Sequence, residues 1–196
     1  MNYYYVIYKP FNVLSQFTSS DGKLTLHNFF DVPGDVYAVG RLDYDSEGLL
    51  ILTNDRSLNK ELLTPAHQHE KEYWVQVEGS VSKDAITRLC NGVTINVDGK
   101  MYKTGEAVVK QLINPKVPVR IPAIRVRKNI PDTWISIVIK EGKNRQVRKM
   151  TASVGFPTLR LIRYRIEKII IDQLQPGDMK LLTQAEMYNL LNIHKK

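Results

Sequence analysis

The apolar residues of this chain come in short runs, each closed by a turn-forming residue, and that spacing limits what the chain can become. Tyr3–Tyr8 is aromatic and β-branched and predicts a strand that stops at Lys9-Pro10. Val36–Val39, Leu49–Thr53, Glu72–Val77, Leu159–Ile166 and Ile169–Ile171 read as further strands. Ile135, Ile137 and Ile139 alternate with Trp134, Ser136 and Val138, which gives another strand one fully apolar face. Helices are few and scattered. One spans Leu24–Phe30, one follows Asn54-Asp55 and stops at Leu63 before Pro65, and one runs from Ser82 through Cys90. Two more cover Asn144 to Val154 and the segment after the Thr183–Glu186 capping box, to about Ile193. Pro115, Pro118, Pro122 and Pro131 make residues 112–132 loop or edge strand. Regular strand–helix alternation is missing, so the expected class is α+β, a mixed, mainly antiparallel sheet with flanking helices. A length of 196 residues fits one large domain or two small lobes, 1–65 and 66–196.

Several function classes drop out early. No run approaches the roughly 18 apolar residues of a membrane span. Met1-Asn2-Tyr3-Tyr4-Tyr5 has neither the basic nor the apolar region of a signal peptide. Cys90, the one cysteine, makes neither an internal disulfide nor a Cys-rich zinc site, so a reducing, cytoplasmic setting is expected. No Walker A loop or Rossmann glycine fingerprint occurs, which leaves nucleotide hydrolysis and hydride transfer without support. Charge is uneven. Residues 1–98 hold 8 Lys and Arg against 13 Asp and Glu, a net −5, while residues 99–196 hold 20 against 7, a net +13. Such a split suits a chain whose second half faces a polyanion, and equally a solvated basic face.

Two segments concentrate groups that do chemistry. Gly40-Arg41-Leu42-Asp43-Tyr44-Asp45-Ser46-Glu47-Gly48 places three carboxylates and an arginine in a glycine-bounded loop between strands. Such a carboxylate suits nucleophilic or base chemistry; magnesium ligation by Asp43 and Asp45 and a plain Asx turn are the alternatives. Glu141-Gly142-Lys143-Asn144-Arg145-Gln146-Val147-Arg148-Lys149-Met150 opens a helix with four cations, against the macrodipole, which an anion there would relieve. Lys71-Glu72-Tyr73-Trp74 sets aromatics beside charge, as base stacking requires, although strand aromatics are commonly core. Arg120, Arg125, Arg127, Lys128, Arg160, Arg163 and Arg165 add to a basic surface. His67-Gln68-His69 reads as exposed loop histidines without a third metal ligand, and no metal is expected.

Taken together these segments resemble the RsuA-like family of RNA pseudouridine synthases. Lys9-Pro10-Phe11-Asn12-Val13-Leu14-Ser15 looks like its first motif, and Gly40-Arg41-Leu42-Asp43 through Asp55 like the motif with the catalytic aspartate. Lys71-Glu72-Tyr73, Glu141–Met150 and Gly155–Arg163 match three more, in family order. Ser46 stands where threonine is usual, which keeps the hydroxyl. The chain is similar to a short branch acting on large-subunit (23S) ribosomal RNA, without the family's small N-terminal S4-type RNA-binding domain, so residues 1–196 are expected to be one catalytic domain of two lobes.

The resemblance implies a base-flipping isomerase for a specific uridine, working without cofactor or metal as a monomer on ribosomal RNA. It makes Asp43 the nucleophile at C1′ or the base at C2′, and Arg148, rather than Arg145, the guanidinium that keeps it ionised. Tyr73 would stack on the base and help remove the C5 proton, Leu161 would pack beneath the ring, and Arg41 would fill the vacated space or bind phosphate. Lys143, Arg145, Lys149 and Arg163 complete the expected substrate-binding set. An RNA-binding module without catalysis and a metal-dependent phosphodiesterase are the competing classes.

Overall fold

A computed structural model describes residues 1–18, 21–124, 130–171 and 173–193. In chain order the elements are β1 (Tyr4–Lys9), β2 (Tyr37–Ala38), β3 (Glu47–Thr53), α1 (Arg56–Leu63), β4 (Lys71–Glu78), α2 (Lys83–Cys90), β5 (Thr94–Val97) and β6 (Lys100–Lys103). They continue with β7 (Val108–Leu112), β8 (Asp132–Ile139), α3 (Gln146–Ser153), β9 (Thr158–Ile166), β10 (Ile169–Ile170), β11 (Met179–Leu182) and α4 (Gln184–Leu190). The α+β class holds, with β1 antiparallel to β3 and β11, β4 and β7 antiparallel to β8, and β10 antiparallel to β9.

The chain forms two compact units, Met1–His69 with Arg163–Lys196, and Glu70–Ile162. The expected single cut between residues 65 and 66 therefore becomes two. The physical reason is pairing: β11 returns to β1, Tyr4 opposite Leu182 and Ile7 opposite Met179, so the C-terminal segment belongs with the N-terminal one.

In the first unit the strand order is β11, β1, β3, with β2 also on β3. Every residue of β1 and β3 is buried, which is why both read as unbroken apolar runs rather than as alternation. One cluster gathers Tyr5, Ile7, Leu50 and Leu52 with Val13, Leu26, Phe30 and Val36. Each such aliphatic side chain contributes about 1.5–3 kcal/mol by leaving water. Asp55 caps α1, its Oδ1 accepting from the N–H of Ser57 at 2.9 Å and of Leu58 at 3.2 Å. Its Oδ2 accepts from the hydroxyls of Tyr4 at 2.7 Å and Tyr188 at 2.8 Å, joining β1, α1 and α4. Burial alone would push the Asp55 carboxyl up; these hydroxyls and N–H groups outweigh it and hold the pKa below the usual range. The expected helix at Leu24–Phe30 shrinks to one 3₁₀ turn, Leu26–Asn28, closed by Thr25 and Asn28.

The second unit carries β4, β8 and β7 in that order and the β5–β6 ribbon. Here alternation is clean. Tyr73, Val75 and Val77 are buried on β4 and face Ile137, Ile135 and Thr133 of β8. α2 packs on β7 and α3 on β5, burying Leu89 and Val147 with Met150.

Candidate active site and nucleic-acid interface

The acidic loop of the first unit is held from below by the segment after β1. Ser15 Oγ donates to the Leu42 carbonyl at 2.8 Å and accepts from the Leu42 N–H at 3.0 Å. The Asn12 N–H donates to the Tyr44 carbonyl, and the Ser46 N–H to the Asp43 carbonyl, each at 3.0 Å. Leu42 and Ser46 are buried on either side, and Asp43 lies half-buried between them. The loop closes at Gly48, whose φ of +107° and position 2.4 Å (from an ideal Cβ) from the Arg163 carbonyl admit no side chain. A carboxylate on a backbone fixed in this way has a set position and partial access to solvent, the condition for attack or proton abstraction. Arg41, in the same loop, is exposed.

Beneath the loop lies Lys9, 0% exposed. Its Nζ donates to the carbonyls of Val13 at 2.7 Å and Pro10 at 2.9 Å. Burial drives its pKa down to about 7, against the pull of Glu47, Asp43 and Asp45 and with the push of Arg163. Tyr8, the preceding residue, donates its hydroxyl to Glu47 Oε2 at 3.3 Å. Sequence reasoning assigned no role to Lys9 or Ser15; a lysine closing an otherwise apolar strand, directly before proline, was the available signal.

The second unit holds Tyr73, Arg148, Leu161, Lys143, Arg145 and Lys149. Tyr73 is 8% exposed, on the buried face of β4. Trp74 turns the other way and donates Nε1–H to Glu72 Oε1 at 3.0 Å, which also accepts from Ser136 Oγ at 2.8 Å. The 141–150 segment is organised by two buried or half-buried polar residues. Glu141 accepts from the Gly105 N–H at 3.0 Å and from Tyr102 and Gln146, and Gln146 Oε1 accepts from the Lys143 N–H at 2.9 Å. The hydrogen bond to Glu141, then burial, raises the Tyr102 pKa. The result is a rigid turn that leaves two of its four cations in solvent. Lys143 is exposed, its Nζ 5.0 Å from the centre of the Tyr102 ring, and Arg145 is exposed, while Arg148 and Lys149 are half-buried.

The helix begins at Gln146, not Asn144, so Arg145 is its N-cap, with φ +53°. The expected substrate contact Arg163 is instead 5% exposed, its Nε donating to the Leu49 carbonyl at 2.7 Å, which makes it a tie inside the sheet of the first unit. Arg160 is likewise buried, Nη1 on the Pro118 carbonyl at 2.9 Å. Arg160 and Arg163 lie in the buried middle stretch of β9, which charge alone does not reveal. Leu161 is buried, and Arg120 is half-buried with Nε on the Pro122 carbonyl at 2.9 Å. Arg125, Arg127 and Lys128 lie outside the described residues.

Among the described residues, the group able to hold a metal is Glu61, His67 and His69; Asp43 and Asp45 do not form one. The reading of His67 and His69 as exposed loop histidines is corrected at His69, which is buried. Among the described residues no helix is long and apolar enough to cross a membrane.

Comparison with known proteins covers most of the chain. A family model described as RNA pseudouridylate synthase matches residues 3–153. A protein of Xanthomonas campestris pv. campestris called Ribosomal large subunit pseudouridine synthase E is 50% identical over 175 residues, 88% of this chain and 91% of that protein. The protein of the same name from Vibrio parahaemolyticus is 49% identical over 172 residues, 88% of this chain and 70% of that one. A crystal structure of a pseudouridylate synthase shares the fold with a TM-score of 0.76 and 28% identity, over 97% of this chain and 74% of the other.

Proposed function

The chain belongs to the RNA pseudouridylate synthase family, and from that premise we propose that it converts one uridine of large-subunit ribosomal RNA to pseudouridine with Asp43 as the reacting carboxylate. The large-subunit substrate is supported by the names of the relatives from Xanthomonas and Vibrio. The observation that carries the role of Asp43 is its loop: a half-buried carboxylate gripped through Leu42, Tyr44 and Ser46, within the stretch matching the family model.

The reaction balances internally. The N1–C1′ bond breaks, the base turns, a C5–C1′ bond forms, the C5 proton leaves and N1 gains one. No electrons are exchanged with a partner. Asp43 either attacks C1′, forming an ester that breaks as C5 bonds C1′, or takes the C2′ proton and returns it once the C5–C1′ bond is made; the target base must leave its stack before either atom is reachable. Tyr73 offers a ring for the flipped base and a hydroxyl for the C5 proton, and Leu161 an apolar contact. Arg148 supplies the positive charge that an ionised carboxylate needs in a dry site. Arg41, Lys143, Arg145 and Lys149 hold phosphates; Arg163, being internal, is left out of that set. The setting proposed is the cytoplasm, with one copy of the chain per RNA.

The test is to incubate the chain with large-subunit ribosomal RNA that lacks modifications and to map pseudouridine by carbodiimide adducts. A single new pseudouridine, absent with Asp43→Asn, is expected. No adduct anywhere in the large-subunit RNA, but one in another RNA, would overturn the substrate and leave the chemistry; full activity of Asp43→Asn would overturn the role of the carboxylate.

A further inference from the structure

Glu61 lies in the last turn of α1. After it Thr64-Pro65 leads into the 3₁₀ turn Pro65–His67, and Gln68, left-handed at φ +50° and ψ +38°, reverses the chain so that His69 returns towards Glu61. His67 Nδ1 sits 2.9 Å and His69 Nε2 3.7 Å from Glu61 Oε1, and all three ligand atoms lie within 4.8 Å of one another. Ligands around a tetrahedral zinc ion, with bonds near 2.0–2.1 Å, stand about 3.3 Å apart, so once His67 Nδ1 gives up its 2.9 Å contact with the Glu61 carbonyl, small side-chain adjustments bring all three onto one ion.

The surroundings of His69 point the same way. Its Nδ1 is 3.2 Å from Glu167 Oε1, and Glu167 Oε2 accepts from Asn192 Nδ2 at 3.0 Å. A carboxylate accepting from Nδ1–H fixes the tautomer and leaves the Nε2 lone pair directed to Glu61, an arrangement that metal-ligating histidines regularly have. The ring is buried, at 9% exposure, so its orientation is set by packing. Glu61 and His67 are partly exposed, which leaves room for water as a further ligand.

We infer that Glu61, His67 and His69 form a site for one divalent transition-metal ion of the zinc type. Two imidazoles and a carboxylate select zinc, cobalt, nickel or copper over magnesium and calcium, which prefer shells of oxygen. The ion would tie the end of α1 to the turn and to residue 69, directly before the chain enters the second unit at Glu70. The site is independent of the isomerase chemistry and serves stability and local order.

The experiment uses the full chain, stripped with chelator and titrated with zinc(II) alone by calorimetry, then with cobalt(II) alone by visible absorption. One ion per chain is expected, with the d–d bands of a tetrahedral nitrogen–oxygen site and no thiolate charge-transfer band. At a hundredfold excess over Kd the unfolding temperature should rise by roughly 5–10 °C, and magnesium should leave it unchanged. His67→Gln, at an exposed position that tolerates exchange, and Glu61→Gln should each weaken zinc at least tenfold. His69→Gln should do the same if it folds, and Cys90→Ser should have no effect. Absence of zinc binding to the stripped chain, or binding unchanged by His67→Gln and Glu61→Gln, overturns the proposal.

Discussion

Residues 1–69 and 163–196 carry 11 Lys and Arg against 12 Asp and Glu, whereas residues 70–162 carry 17 against 8. The two units differ more in how they use charge than in how much they hold. In the first, ionisable groups are buried and tied to the fold: Lys9 on two carbonyls, Arg163 on Leu49, Asp55 on two tyrosines and a helix N-terminus. In the second, a rigid turn built on Glu141 and Gln146 holds Lys143 and Arg145 out in solvent. A reacting carboxylate requires fixed neighbours and a partly dry setting, while contact with a polyanion requires only cations left accessible to it. On the proposed function, the basic excess of the second unit serves affinity, and the carboxylate proposed to react, Asp43, belongs to the nearly neutral unit.

The sharpest way to break this division is Asp43→Asn. Single-turnover conversion should fall by about 10³-fold or more, while RNA affinity stays within a few-fold. A matching loss in affinity would mean that the first unit binds as much as it reacts.

Asp55→Asn should lower unfolding free energy by about 1–3 kcal/mol in denaturant titrations near neutral pH, because buried hydroxyls lose a charged acceptor. The sign with pH follows from its lowered pKa: the contribution is complete above the unfolded value near 4 and disappears as pH falls through the lower folded value. The gap between wild type and variant should therefore close in acid. A gap that is independent of pH would make Asp55 a simple cap.

Lys9→Met sharpens the comparison further. The folded pKa of Lys9, about 7, lies below the ordinary 10.5, so between those values the unfolded chain binds a proton that the folded chain does not. Stability should rise with pH in that window, by about 1 kcal/mol from pH 7 to pH 8, and level off below it. The variant should lack this rise, measured as the difference in unfolding free energy at the two pH values.

The smallest effect belongs to the second unit. Lys143→Ala should reduce the slope of log K against log salt by about 0.7, one single-strand phosphate contact, with the chemical rate unchanged. Lys180→Ala, an exposed lysine of the first unit, should leave the slope as it was.

How far the sequence led depends on what kind of signal each part used. Capping at Asp55, Ser82 and Thr183 was legible because a cap is local: donor, acceptor and spacing all lie within four residues. The α+β class was legible from short strands bounded by turns. The loop of Asp43 was visible as a loop, but its grip through Ser15 bridges 27 residues and has no sequence period to announce it. The same holds for Arg160 and Arg163, read as surface from charge and buried in fact, and for Glu61, which meets the two histidines only because Gln68 turns the chain. Return of the C-terminal strand to β1 was equally hidden, since antiparallel partners far apart carry no mutual signature.

That return has a consequence in time. During synthesis β1 is made well before β11, so Tyr4 waits for Leu182. At ordinary elongation rates the delay is on the order of ten seconds or more. The edge of β1 that β11 will cover stays open for that interval, although its other edge can pair with β3 early. The strands β4 and β8, by contrast, are both complete once Ile139 has been made. The β4–β8 pairing can thus close while β1 still waits for its partner on that edge.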